Sequence, residues 1–224
     1  MNAIPFVNAS NGNDSTNDAL FNQIANDLRN QGYSIKPNAL PETLANALLQ
    51  HQYDMDDSQF KNAGIGRGDK YLKTDFVRTD EICWITGDSE AGQEWLKWAS
   101  ALQSFLNRRL FLGLFSFESH FAHYAPGDFY KRHYDAFKGE ANRVLSLVTY
   151  LNPDWQQNAG GELVLYRDEH DREGIKVTPL HGTIVAFLSE DFPHEVLPAT
   201  RDRFSIAGWF RINTSIAGQL DPPS

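Results

Sequence analysis

His133 and Asp135 are separated by one residue in the run His133-Tyr134-Asp135. In an extended strand, residues i and i+2 face the same side. The pair would therefore offer an imidazole and a carboxylate to one ion. His194 follows in a later short run, directly after Pro193. Two imidazoles and a carboxylate on one face of a metal leave its other face open, the ligand set of non-haem Fe(II) sites that activate oxygen. Arg203 comes next, in Arg203-Phe204-Ser205-Ile206-Ala207-Gly208-Trp209. Alternation puts Arg203, Ser205, Ala207 and Trp209 on one face and Phe204, Ile206, Gly208 and Phe210 on the other. An inward guanidinium needs a partner, and a dicarboxylate would supply one through a bidentate contact. Each residue also has a plain structural reading: an exposed histidine near a solvated aspartate, a turn histidine, a rim arginine paired with Asp202 or Glu195.

The elements that would position these groups come late in the chain. Residues 1–14 are polar and Asn-rich and read as a flexible tail. A helix is expected over 15–31, where Leu20, Ile24 and Leu28 recur every four residues and Gly32 ends the pattern. A second begins near Pro41, with Leu44, Ala47 and Leu48 as its apolar stripe. A third carries Trp95, Trp98, Ala99, Leu102, Phe105 and Leu106 on one face, with Arg108 and Arg109 late where the helix dipole favours them. From Ser116 the period becomes that of strands. Eight are expected: 121–125, 129–135, 143–152, 161–167, 174–179, 182–189, 194–198 and 203–212. Helices followed by a run of strands predict an α+β fold, a jelly-roll or sandwich core over about 116–212 buttressed by helical support over 15–110.

The chain's 224 residues suit a single domain over 15–224. Its net charge of −9 argues against nucleic acid and anionic membranes as partners. The single cysteine, Cys83, makes no internal disulfide, and with no basic leader or apolar span the expectation is a cytoplasmic protein.

The order His-x-Asp, about sixty residues, His, then Arg nine residues on resembles the 2-oxoglutarate- and Fe(II)-dependent dioxygenase superfamily, most of all its prolyl 4-hydroxylase branch. The motifs are APGDFYKRHYD with the first two ligands, RVLSLVTYLNPDW, GGELVLY, and FPHEVLPATRDRFSIAGWF with the last histidine and the arginine. Upstream, RGDK (67–70) followed by CWITG (83–87) is similar to the oxygen-sensing protein prolyl hydroxylases.

The resemblance implies a double-stranded β-helix. It makes His133, Asp135 and His194 the Fe(II) ligands. Arg203, Tyr150, Tyr124 and Ser205 become cosubstrate-binding residues, and Trp209, Asp69, Arg67 and Arg143 substrate-binding ones. It implies hydroxylation of a prolyl residue in a protein, with succinate and CO2 as co-products, and brings in ascorbate as an accessory cofactor and the translation machinery as a source of substrates.

Alternatives on the same fold are a small-molecule or free-amino-acid hydroxylase, a nucleic-acid demethylase, which the acidic balance disfavours, and a non-enzymatic metal-binding interaction module. Residues 61–78 discriminate among them. Lys61, Arg67, Lys70, Lys73 and Arg78 stand there against Asp69 and Asp75, with Gly64, Gly66 and Gly68. That composition reads as a flexible basic loop able to cover a peptide.

Overall fold

The computed structural model describes residues 11–63, 77–136 and 142–213, with the side chains of 11–16 left aside. Three helices come early. α1 spans Asn11–Gln31, α2 Glu42–Asp54 and α3 Glu90–Leu110. α1 opens four residues ahead of the expected start, inside the stretch that reads as a tail; residues 1–10 lie outside the described residues. Pro41 is the N-cap of α2, which suits a residue that has no amide hydrogen to donate. At α3, Ser89 caps the start by accepting from the Gly92 amide at 3.1 Å, and Arg108 and Arg109 fall in the last turn. No helix among the described residues is long and apolar enough to cross a membrane.

Eleven strands are described: β1 (Tyr33–Lys36), β2 (Lys61–Asn62), β3 (Glu81–Trp84), β4 (Ser116–Tyr124), β5 (Tyr130–His133), β6 (Arg143–Tyr150), β7 (Leu163–Leu165), β8 (Ile175–Val177), β9 (Ile184–Leu188), β10 (His194–Val196) and β11 (Arg203–Arg211). They form a seven-stranded sheet, ordered β1-β9-β6-β11-β4-β3-β2, and a four-stranded sheet, ordered β5-β10-β7-β8. The last eight strands are those expected. β1, β2 and β3 are additional; they are short and widen the large sheet.

The helices cover one face of the large sheet. Trp95, Trp98, Ala99, Leu102 and Leu106 of α3 pack with Phe21, Ile24 and Leu28 of α1, and with Leu145, Leu147, Ile206 and Phe210 from the sheet. The buried Trp95 indole donates to Ser119 Oγ at 3.0 Å, so the helix is keyed to β4 as well as packed on it. Gly208 makes room for Phe117: a Cβ there would meet that ring at 2.6 Å.

The opposite face of the large sheet looks toward the small sheet. Tyr124, Tyr150, Val185, Phe187, Leu163, Leu165 and Val196 line the space between them. β11 alternates as expected, with Phe204, Ile206 and Phe210 on the helix side and Arg203 and Ser205 on the inner side.

Residues 77–84 cross from one sheet to the other. Arg78 forms an antiparallel bridge with Tyr130 of β5, flanked by Lys131 N–Val77 O at 2.9 Å and Thr79 N–Phe129 O at 3.2 Å. Four residues later the same chain is β3, paired with β4. Much of the segment that reads as a basic loop, including Arg67 and Asp69, lies outside the described residues. At its two ends, Lys61 belongs to β2 and Arg78 sits in the corner between the sheets.

Candidate metal centre and cosubstrate pocket

β5 and β10 are neighbours in the small sheet, and His133 is the register partner of His194. Directly opposed side chains have Cβ atoms about 5 Å apart, and here the ring centroids are 4.3 Å apart. Asp135 does not lie on the strand. β5 ends at His133, and the carboxylate is delivered by the bend that follows. Simple alternation along 129–135 is therefore the wrong reason for a correct grouping. Asp135 Oδ1 is 3.7 Å from His133 Nε2, and Oδ2 is 3.6 Å from His194 Nε2. One ligand atom from each of the three residues lies within 4.8 Å of the others, a donor set able to hold a metal ion.

The backbone sets the tautomers. His133 Nδ1 is 2.7 Å from Lys131 O, and His194 Nδ1 is 3.1 Å from Phe192 O. Each Nδ1 donates to a carbonyl, so each Nε2 turns a lone pair toward the cluster. Burial holds the His194 imidazole down at about 4, with His133 adding to the effect and Asp135 opposing it. For Asp135 burial alone would push the carboxyl up. The His194 and His133 imidazoles and the Ser146 hydroxyl outweigh it and hold the group well below the usual carboxylate range. At neutral pH the site offers a neutral His194 imidazole and an ionised Asp135 carboxylate, the forms a metal needs.

A pair of buried serines stands behind Asp135. Ser146 Oγ donates to Asp135 Oδ2 at 2.6 Å, and Ser189 Oγ is 2.9 Å from Ser146 Oγ. Ser146 has one hydroxyl proton and gives it to the carboxylate, so Ser189 is the donor to Ser146. The sequence motifs do not single these residues out. The one available signal is a serine interrupting the apolar run of β6.

Arg203 lies deep in the same space and is 2 % exposed. The rim pairing with Asp202 or Glu195 does not occur: Asp202 is bonded to His123, and Glu195 to Tyr166. Arg203 Nε donates to Gly161 O at 2.8 Å and its NH1 to Ser205 Oγ at 3.2 Å. Its guanidinium carbon is 4.9 Å from the Tyr124 ring centroid and 5.1 Å from that of Tyr150. Among the described residues no carboxylate pairs with it. Tyr150 is fully buried, and among the described residues its hydroxyl has no hydrogen-bond partner. Burial pushes that phenol up to about 12, with Arg203 partly offsetting it. A buried cation beside a buried, unsatisfied hydroxyl is an incomplete site. A carboxylate of a small ligand has the charge and acceptor atoms that would complete it.

On another side of the centre lie Trp209 and Arg143. Trp209 is the register partner of both Ser146 and Glu118. The Arg143 guanidinium lies 3.7 Å from the Trp209 ring centroid, and its Nε and NH2 donate to Glu118 Oε1 at 3.1 and 2.8 Å. His120 and the half-exposed Trp84 pack beside them. Arg67 and Asp69 lie outside the described residues. The Arg-x-Asp pair beside this pocket is Arg78 and Asp80: the guanidinium donates to the fully buried carboxylate through Nε at 2.8 Å and NH2 at 2.6 Å. In the sequence this pair is overshadowed by RGDK just upstream.

Residues 119–211 match the family described as the 2OG-Fe(II) oxygenase superfamily. A Pseudomonas putida prolyl-4-hydroxylase structure shares 38% identity with a TM-score of 0.76, covering 87% of this chain and 100% of that one. A Trichoplax adhaerens prolyl hydroxylase, solved with a hypoxia inducible factor oxygen degradation domain peptide fragment, shares 28% identity at a TM-score of 0.77, over 91% of this chain and 94% of that one. Human Egl nine homolog 1 is 28% identical over 142 residues, 60% of this chain, and the chain spans only a third of that relative's length. The shared fold, the matched residues and the extent of the likeness agree: this chain belongs to the 2OG-Fe(II) oxygenase superfamily, in its prolyl hydroxylase branch.

Proposed function

We propose that the protein is an Fe(II)- and 2-oxoglutarate-dependent dioxygenase that hydroxylates a prolyl residue within a protein substrate. The observation that supports this reading most is the incomplete charge site: among the described residues Arg203 is buried without a carboxylate, beside a Tyr150 hydroxyl that has no hydrogen-bond partner, in a chain that also gathers His133, Asp135 and His194. A non-enzymatic metal-binding module has no use for such a cation.

In this reading His133, Asp135 and His194 would hold the iron. When bound, the metal and cosubstrate would supply the oxidising chemistry, with succinate and CO2 as co-products. Arg203 fixes the far carboxylate of 2-oxoglutarate, and Tyr150 donates its hydroxyl to the same group. Ser205 holds the guanidinium in place, while Tyr124 gives it an aromatic wall. Val185, Phe187, Leu163 and Leu165 exclude water from the space between the sheets. Trp209 and Arg143 line the side left for the substrate, and Arg67 and Asp69 are further candidates there. The Trichoplax relative was solved with a peptide, which favours a peptide segment over a free amino acid here.

The single thiol fits a reducing cytoplasm. Ascorbate is included as an accessory reductant, and proteins of the translation machinery as candidate substrates. The test is a host lysate treated with enzyme, Fe(II) and 2-oxoglutarate, with and without ascorbate, searched by mass spectrometry for a gain of about 16 Da on proline, the mass of one oxygen atom. The gain should appear on a protein and be absent with Asp135→Ala. If only free proline or a small molecule gains the mass, the protein-hydroxylase reading is wrong.

A further inference from the structure

We propose that Tyr130 is a positioning residue for the metal centre: it fixes the ring plane of His133 by stacking and is itself held by the Arg78–Asp80 ion pair at the corner between the sheets. The inference rests on the reading of His133 as a metal ligand.

Tyr130 and His133 are three residues apart on β5. Regular alternation would put them on opposite faces. Their rings are nevertheless stacked, with centroids 3.5 Å apart and planes 15° from parallel. The pairing of β5 with β10 explains this. His133 is opposite His194, but Tyr130 is opposite Val196, so three steps along β5 match two along β10. The extra residue is a β-bulge. Bulges re-aim side chains and gather next to active sites. This one turns Tyr130 onto the face that carries His133.

The other face of the Tyr130 ring is also occupied. The Arg78 guanidinium carbon lies 4.3 Å from its centroid, within cation–π range. The guanidinium cannot swing away, because two of its nitrogens are bonded to the fully buried Asp80. The backbone repeats the arrangement, with Arg78 bridging Tyr130 directly. The order is thus Asp80, Arg78, Tyr130, His133, each fixing the next.

The His133 ring has few other restraints. Its Nδ1 bond to Lys131 O is one, and a turn of the ring about Cβ–Cγ that strained this bond would swing Nε2 out of line with Asp135 and His194. The stacked phenol blocks the rotation. A ligand oriented in advance binds its metal more tightly and in one geometry.

The test uses the full chain, stripped of metal and titrated anaerobically with Co(II), whose visible ligand-field bands report geometry. Tyr130→Phe keeps the ring and should match wild type in affinity and spectrum. Tyr130→Leu keeps similar volume without a ring. It should bind Co(II) about tenfold more weakly, with displaced bands, while the metal-free protein unfolds at the wild-type temperature. A second variant, Arg78→Met with Asp80→Asn, removes the outer support without stranding a buried charge, and should displace the bands in the same direction. Wild-type affinity and bands in Tyr130→Leu would overturn the proposal. If that variant does not fold, unchanged bands in the double variant overturn it. A wild-type protein that shows no Co(II) bands would instead remove the metal reading itself.

Discussion

His133 and His194 face each other across β5 and β10 with ring centroids 4.3 Å apart. The pair is a register contact, made by the same hydrogen-bond ladder that builds the small sheet. Asp135 joins it from the bend beyond β5. Losing either histidine should remove the centre without dismantling the sheet. In His194→Ala, the weak visible band expected of the anaerobic Fe(II) and 2-oxoglutarate complex should be absent, while far-ultraviolet circular dichroism matches wild type.

Arg203 should govern cosubstrate affinity. Breaking a buried ion pair costs about 3–5 kcal/mol, and each tenfold in affinity is about 1.4 kcal/mol. Arg203→Ala is therefore expected to weaken 2-oxoglutarate binding at least about a hundredfold, measured calorimetrically on the Mn(II)-loaded protein. Mn(II) affinity should change little. Because no carboxylate among the described residues pairs with the wild-type cation, saturating 2-oxoglutarate should raise the melting temperature of wild type and leave the variant's unmoved.

Ser146 should matter to the metal without touching it. Its hydroxyl is bonded to Asp135 Oδ2, and losing such a supporting hydrogen bond typically costs about 10–100-fold in metal affinity. Ser146→Ala is expected to fall in that range by competition with a chelating dye. Ser146→Thr, which retains the hydroxyl, should recover most of the loss.

His120 should make the fold acid-sensitive. Burial, helped by the Arg78 charge, holds its imidazole at about 4, against an ordinary value of 6.5. Above pH 6.5 the ring is neutral whether the chain is folded or not. Below it the unfolded chain takes up a proton that the folded chain refuses until about pH 4, so stability drops through that window. Between pH 7 and pH 5 the loss from this group is about 2 kcal/mol. Urea denaturation of metal-free wild type and His120→Gln at the two pH values should show the variant losing less by that amount. His194 titrates in both proteins and cancels.

What the sequence makes legible follows from periodicity. The stripe of α3 and the alternation of β11 are written in single segments, so Trp95, Leu102, Arg203 and Ser205 can be assigned to their faces from local spacing alone. What it hides depends on contacts between segments. The bulge in β5 belongs to the pairing of two strands, and neither strand announces it by itself. Ser189 matters only because β9 runs beside β6. Arg78 and Asp80 cannot be chosen over Arg67 and Asp69 from spacing, since both pairs precede the same CWITG run; only tertiary placement separates them. β1, β2 and β3 run to four, two and four residues, too short to show a period.

Residues 77–84 have a consequence for how the molecule comes apart. Their first half is hydrogen-bonded to the edge of the small sheet, and their second half to β4 of the large one. On this flank the seam between the sheets is closed by a covalent strap, which neither acid nor urea weakens. The sheets can part there only if one ladder or the other is stripped along the strap's own length. Slow breathing of the jelly-roll should therefore begin at the opposite flank, and the amide protons of Thr79 and Lys131 should be among the last on this rim to exchange with solvent.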